Sequence, residues 1–269
     1  MLKRGIRGHD VLASGLCKIC KKMEAEKIEY VQLVLEKSIE GFTYGNYTRE
    51  YAEKIKDELG SRKIAVLGSY INPSNPNEEA LEYDKARLVE KIKYASVLNP
   101  IVVGTETGRY KDGETHTEAA YQRVLSTVKY LVGEAEKYGV CIGIEGVHLF
   151  VIDTPEIMKR LIDDVGSPAL KVIFDPINLL NAENYQRQDE IIEKTFDLLY
   201  DRLVCVHVKD FTLVDGEFRT MRVGGEGGML NFPLIIKKMK EYKLNLPFIT
   251  EEISDEAAIS VFEKLEALL

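Results

Sequence analysis

Residues 170–178 read Leu170-Lys171-Val172-Ile173-Phe174-Asp175-Pro176-Ile177-Asn178. A short run of β-branched and aromatic side chains stops at an aspartate, and a proline follows. Consecutive apolar residues of this kind suit a strand buried on both faces, as in a parallel sheet covered by helices. The pattern recurs on either side. Residues 140–145 end in Glu145, residues 203–208 carry His207, and residues 246–251 end in Glu251. Upstream, residues 100–104, 62–67 and 28–35 form further β-rich runs, and Lys3-Arg4-Gly5-Ile6-Arg7 is a short, charged eighth.

Amphipathic stretches with helical spacing separate these runs, at residues 77–96, 115–138, 154–164, 189–201, 232–242 and 255–269. One opens with Thr154-Pro155-Glu156, a capping hydroxyl with proline at the first helical position. Strands alternating with helices imply βαβ units. Eight units in 269 residues give about 34 residues each, which fits an eight-stranded α/β barrel. No linker rich in Pro, Gly or Ser divides the chain, so the expectation is one (β/α)8 TIM barrel over residues 1–269. An open doubly wound sheet would place a glycine-rich phosphate loop after its first strand. Here the glycine-rich stretch Gly224-Gly225-Glu226-Gly227-Gly228 comes after the seventh.

The 44 acidic and 36 basic side chains leave a formal charge of −8. That sign argues against nucleic acid as a partner, because phosphate backbones select basic faces. No apolar run approaches the roughly 18 residues of a membrane span, so no membrane partner is expected. Met1-Leu2-Lys3-Arg4-Gly5 leads into a mixed segment without the apolar centre of a secretory leader. Cys17 and Cys20 form a lone C-x-x-C in a helix-like stretch, without a second pair or a histidine at zinc-finger spacing. Cys141 and Cys205 sit in apolar runs as small hydrophobes. A reducing, cytoplasmic setting is the expectation.

The chemistry lies where ionisable residues meet strand ends. Glu145, Asp175, His207 and Glu251 are separated by 30, 32 and 44 residues, about one βα unit each. In a barrel the C-terminal strand ends share one mouth, so the four converge. Three carboxylates at close range repel unless a divalent cation offsets them. The mixed oxygen and nitrogen donors suit Mn²⁺, Co²⁺, Mg²⁺ or Zn²⁺, with Mn²⁺ the first expectation. Glu252 is an alternative to Glu251, but strand alternation points the two in opposite directions. Around this set, His9, Tyr70, Asn72, Glu106, His148, Asn178, Lys209 and Arg222 are candidates for contact with substrate. His116, in a charged helix start, is expected on the surface.

Five stretches resemble a known family. They are 67–73 (Leu-Gly-Ser-Tyr-Ile-Asn-Pro), Gly143-Ile144-Glu145, Asp175-Pro176-Ile177-Asn178 (D-P-x-N), His207-Val208-Lys209-Asp210 (H-x-K-D), and Gly225-Glu226-Gly227 followed by Asn231-Phe232 and the 247–251 segment. Together they resemble the xylose-isomerase-like superfamily of TIM barrels. Ketose 3-epimerases, hydroxypyruvate isomerase and inosose-processing enzymes belong to it. The resemblance implies one divalent ion held by Glu145, Asp175, His207 and Glu251, with Glu145 and Glu251 as paired acid and base. The implied reaction is isomerisation or epimerisation of a small ketose, sugar or polyol-derived hydroxy-carbonyl compound through an enediolate. An inosose-type dehydration is the alternative on the same scaffold. An endonuclease IV-like hydrolase would need a histidine-rich multi-metal site, and this chain has four histidines in all. A non-catalytic sugar-binding barrel would not require an intact ligand set. Two positions depart from the ketose epimerase pattern: Asn178 replaces a histidine found in some of them, and Val151 replaces a second glutamate. Barrels of this kind often pair into dimers or tetramers, so a homo-oligomer is an open expectation.

Overall fold

The computed structural model describes residues 2–11, 15–251 and 258–268. Eight strands close a parallel barrel: β1 (Lys3–Arg7), β2 (Tyr30–Leu33), β3 (Lys63–Gly68), β4 (Val102–Thr105), β5 (Ile142–Glu145), β6 (Leu170–Phe174), β7 (Leu203–Val208) and β10 (Pro247–Thr250). Around the ring the order is β1-β10-β7-β6-β5-β4-β3-β2, and every neighbouring pair is parallel. The longer helices are α1 (Leu16–Ala25), α3 (Arg49–Leu59), α4 (Glu78–Leu98), α5 (Glu118–Glu136), α6 (Pro155–Val165), α7 (Gln188–Leu199), α8 (Phe232–Glu241) and α9 (Ala258–Glu266), and a single turn, α2 (Leu35–Ser38), follows β2. The fold is a single (β/α)8 TIM barrel. No described helix is long and apolar enough to cross a membrane. Glu252 and the start of the 255–269 stretch lie outside the described residues.

Side chains set the helix starts. Asn77, Thr117, Thr154 and Asn231 each accept a hydrogen bond from the backbone N–H three residues on, satisfying one orphan donor per helix. Cys17 is exposed on α1 and Cys20 buried, and both are free thiols.

Two apolar compartments result. The larger joins the outer faces of the strands to the helices. The smaller, with Tyr30, Val66, Val102, Ile173, Cys205 and Ile249, fills the barrel interior. Three strands contribute glycine there. A Cβ on Gly104 would overlap Val66 and stand 2.8 Å from Ile173 Cδ1, one on Gly143 would stand 2.8 Å from Val102 Cγ2, and one on Gly5 would overlap Ile249. These glycines let bulky neighbours meet across a narrow ring. Strand alternation then places the next inward residue two positions on, at the mouth: Gly143 leads to Glu145, Ile173 to Asp175, Cys205 to His207 and Ile249 to Glu251.

The connection after β7 departs from the expected plain glycine-rich loop. It carries an antiparallel hairpin, β8 (Asp210–Val214) with β9 (Glu217–Met221). Its two-residue turn is Asp215-Gly216, both at positive φ (53° and 81°). Asp-Gly is the pairing such a turn favours. The first strand ends at Arg7, and His9 sits beyond it in a 3₁₀ turn, Gly8–Asp10.

The interior glycines should resist enlargement. Gly104→Ala should destabilise by about 1–3 kcal/mol through overpacking, lowering Tm by roughly 2–4 °C per kcal/mol. Gly133→Ala, in α5 with nothing within 4 Å of its added Cβ, should instead gain about 0.5–1 kcal/mol from helix propensity. Thermal denaturation of the two variants reads the opposite signs.

Candidate functional site

Four side chains meet at the C-terminal mouth. Glu145 closes β5, Asp175 follows β6, His207 is the penultimate residue of β7, and Glu251 follows β10. Their exposures are 3%, 1%, 0% and 4%, so none is solvated and each charge needs a partner. One donor atom from each of Glu145, Asp175 and His207 lies within 4.8 Å of the others. His207 Nδ1 stands 3.4 Å from Glu145 Oε2, 3.9 Å from Asp175 Oδ2 and 3.3 Å from Glu251 Oε1. Neither ring nitrogen of His207 has a hydrogen-bond partner of good geometry among the described residues. A fully buried imidazole left in that state, facing three carboxylate oxygens, has the donor chemistry for a divalent cation.

The D-P-x-N segment explains the placement of Asp175. Its Oδ1 accepts from the peptide N–H of Ile177 (2.9 Å) and Asn178 (3.1 Å), which fixes the turn and leaves Oδ2 for the site. The turn presents Asn178, whose amide donates to Glu145 Oε1 at 2.5 Å and whose carbonyl oxygen accepts from Lys209 Nζ at 2.9 Å. Lys209, two residues beyond His207 and so on the same side of the strand, also reaches Asp175 Oδ2 (2.7 Å) and Glu251 Oε2 (3.1 Å). Arg7 closes the ring from β1, with a nitrogen 2.9 Å from Glu251 Oε2 and another 2.7 Å from Asp10.

Burial and charge pull these groups apart. Burial, reinforced by Glu145 and Glu251 against Lys209, pushes the Asp175 carboxyl up to about 6. Burial opposes ionisation of Glu251 too, but His207, Lys209 and Arg7 outweigh it and hold that carboxyl at about 2. Burial would depress His207, yet Glu145 and Glu251 raise it well above an ordinary imidazole. Glu106 is pushed up to about 7 by burial and then by Glu145. Burial, with Glu145 and Glu251, keeps the Tyr70 phenol neutral.

A cavity of about 330 Å³ opens over this floor, at the small end of ligand pockets. Of the residues expected around it, His9, Tyr70, Glu106, Asn178 and Lys209 line it together with Glu145 and Glu251. Gln32 donates to the Tyr70 hydroxyl. Three others are not among the lining residues. The Asn72 carboxamide binds Ser74 and the Arg109 carbonyl, filling the space that a Cβ on Gly108 would need. His148 sits behind Asn178, whose carbonyl accepts from its peptide N–H at 2.7 Å. Arg222 is exposed after the hairpin. His116 is on the surface, 3.2 Å from Asp153. Sequence reading passed over two lining residues, Arg7 and Lys37. Arg7 carried the same signal as the others, an ionisable residue closing a strand. Lys37, on α2, carried none.

The chain matches the family described as xylose isomerase-like TIM barrel over residues 19–268. No curated protein matches it. Among solved structures, a D-tagatose 3-epimerase-like protein shares 23% identity, with TM-score 0.77, 99% of this chain and 97% of the other covered. The 3-keto-D-glucoside 4-epimerase YcjR from E. coli, in its apo form, shares 12% at TM-score 0.74, covering 100% and 99%. The IOLI protein, solved with a bound zinc atom, shares 15% at TM-score 0.75, covering 99% and 97%. At these identities the structures attest the fold, and the family match spans nearly the whole sequence. The chain belongs to the xylose isomerase-like TIM barrel family.

Proposed function

We propose that this protein is a divalent-metal-dependent isomerase or epimerase of a small sugar, ketose or polyol-derived hydroxy-carbonyl compound. The observation that carries the reading is the convergence of three buried carboxylates on one buried imidazole beneath a polar cavity. Epimerases among the structural neighbours, and the zinc in the IOLI protein, support it. Glu145, Asp175, His207 and Glu251 would hold the ion, with Mn²⁺ the first candidate and Co²⁺, Mg²⁺ and Zn²⁺ the alternatives. When bound, it would supply Lewis-acid stabilisation of negative charge developing on substrate oxygens.

The protein's own groups supply the proton chemistry. Glu145 and Glu251 come from strands three places apart in the ring, with Asp175 and His207 between them. One carboxylate removes the proton next to the carbonyl and the other returns one. Return to the opposite face of the same carbon gives an epimer, and return to the neighbouring carbon gives an isomer. Asn178 fixes one oxygen of Glu145, while Arg7 and Lys209 fix one of Glu251, so neither carboxylate needs to search for its rotamer. Tyr70 and Lys209 offer donors to substrate hydroxyls. Loss of a β-hydroxyl from the same carbanionic species would make the reaction a dehydration.

Metal analysis should find about one divalent ion per chain after incubation with Mn²⁺, and none in the Glu145→Gln, His207→Asn double variant. A wild-type protein that stays metal-free at millimolar Mn²⁺, Co²⁺ and Zn²⁺ would sink the proposal. In D₂O, the protein should exchange a carbon-bound hydrogen of a ketose or inosose. Glu145→Gln or Glu251→Gln should each slow that exchange by roughly 10²–10⁴-fold, with the circular dichroism of the barrel intact.

Binding should also depend on pH with a defined sign. Without an ion, His207 carries a proton because Glu145 and Glu251 raise its affinity for one. Ligation needs the neutral imidazole, so ion and proton compete. Affinity should therefore rise with pH between about 6 and 8, with about one proton released per ion, and more steeply below about 6, where Asp175 is protonated as well. Titration calorimetry in two buffers of different ionisation enthalpy measures the release. A pH-independent affinity with no protons released would contradict this arrangement.

A further inference from the structure

The cavity is electrically two-sided. Glu106, just past β4, and Glu145, closing β5, line one side, with Glu251 and the Lys209 paired to it on the floor, while Arg7, closing β1, His9, in the turn after it, and Lys37, in the turn after β2, line the other. Arg7 is already committed to Glu251 and Asp10. The Lys37 ammonium has no hydrogen bond or ion pair with any described residue, and the Nδ1 of His9 is buried without a hydrogen-bond partner among them. The electrostatics at His9 follow the same division: burial lowers its proton affinity, and Lys37 and Arg7 lower it further against Asp10 and Glu251.

Lys37 is exposed at its tip, but its backbone is fixed. Leu35 and Ser38 on either side are buried (0% and 1%), and the peptide N–H groups of Lys37 and Ser38 both donate to the Val34 carbonyl. Glu36 is held by the Tyr44 hydroxyl (2.8 Å) and by Lys91 (2.5 Å), a fully buried lysine whose ammonium also caps the Gly68 carbonyl at the end of β3 (2.9 Å). A buried lysine spent on anchoring this turn means that the cation beside it is presented from a rigid support rather than from a mobile loop.

We infer that Lys37 and His9 form a subsite for an anionic group, so that the substrate is a small sugar bearing a carboxylate or a phosphate at the end away from its reacting carbonyl. The inference rests on the isomerase reading for the carbonyl end. Lys37 supplies the charge, His9 supplies a ring nitrogen, and the carboxylates across the cavity repel the anion and so set the orientation.

Three probes share one skeleton: D-fructose, D-fructose 6-phosphate and D-fructuronate, which carries a carboxylate at C6. Equilibrium binding to the full chain, with and without Mn²⁺, should favour at least one anionic sugar over fructose by about tenfold or more, and the better of the two identifies the anion. Lys37→Ala should abolish the preference. Lys37→Arg should keep it, as should Lys18→Ala on the exposed face of α1. Equal binding of all three sugars, binding of none, or a preference that survives Lys37→Ala overturns the subsite. Hydrogen exchange in D₂O separates the two readings. Exchange on fructose without a gain for either anionic sugar removes the subsite and leaves the isomerase. Selective anion binding that depends on Lys37, without exchange on any sugar, keeps the subsite and removes the isomerase.

Discussion

Burying like charges is the constraint around which this molecule is organised. Glu145, Asp175 and Glu251 are withdrawn from water within a few ångströms of one imidazole. Left alone, such a group would shed charge by taking up protons. The protein answers unevenly. Glu251 receives His207, Lys209 and Arg7 and stays strongly acidic, Asp175 receives Lys209 and is raised, and Glu145 faces His207 and takes the neutral amide of Asn178. Under the metal-dependent reading, Glu145, which pairs with no described lysine or arginine, is the carboxylate to which a bound cation would add most.

The barrel makes that arrangement affordable in geometry. Parallel strands bring their C-terminal ends to one rim, and a two-residue period determines which side chains face inward. One layer of the interior is apolar and partly glycine, so the ring stays narrow. The layer above it is ionisable, so charges that are distant in sequence arrive within contact distance. Register links stability and chemistry here: a one-residue slip in β5 or β7 would turn Glu145 or His207 toward the helices. The packing that holds Gly104 and Gly143 beneath their neighbours therefore also aims the site.

Much of this was legible in the sequence because it rests on local pattern. Apolar runs closed by Glu145, Asp175, His207 and Glu251 announced both the strands and the side chains that share the mouth. The Thr154-Pro155 cap and the 77–96 and 115–138 stretches announced helices. Less was legible where position depends on tertiary contacts. The helix Arg49–Leu59 is mostly polar; Ala52, Ile55 and Leu59, its buried residues, keep helical spacing but are few among the charges, so the element is easy to pass over. The β8–β9 hairpin was signalled by Asp215-Gly216 but masked by the glycines that follow. Lys37 looks like any surface lysine. Its place at the cavity follows from Lys91 and Glu36, 55 residues apart, meeting beside it. Asn72 and His148 were read from their neighbourhood in sequence, but their side chains serve the loops that carry the lining residues.

Asn178, the last residue of the D-P-x-N segment, shows how one side chain can tie the local chemistry together. The carboxamide donates to Glu145 and accepts from Lys209, while the peptide carbonyl of the same residue receives His148. Glu145, Lys209, Asp175 and Glu251 are thereby joined through one neutral side chain, which orients two opposite charges without adding a third. Because the turn bearing Asn178 is itself fixed by Asp175 Oδ1, a residue that faces the site also builds the support for its neighbour. Ligand, support and turn are one covalent segment of four residues. That explains why the D-P-x-N spacing, more than the aspartate alone, carries the information about the site.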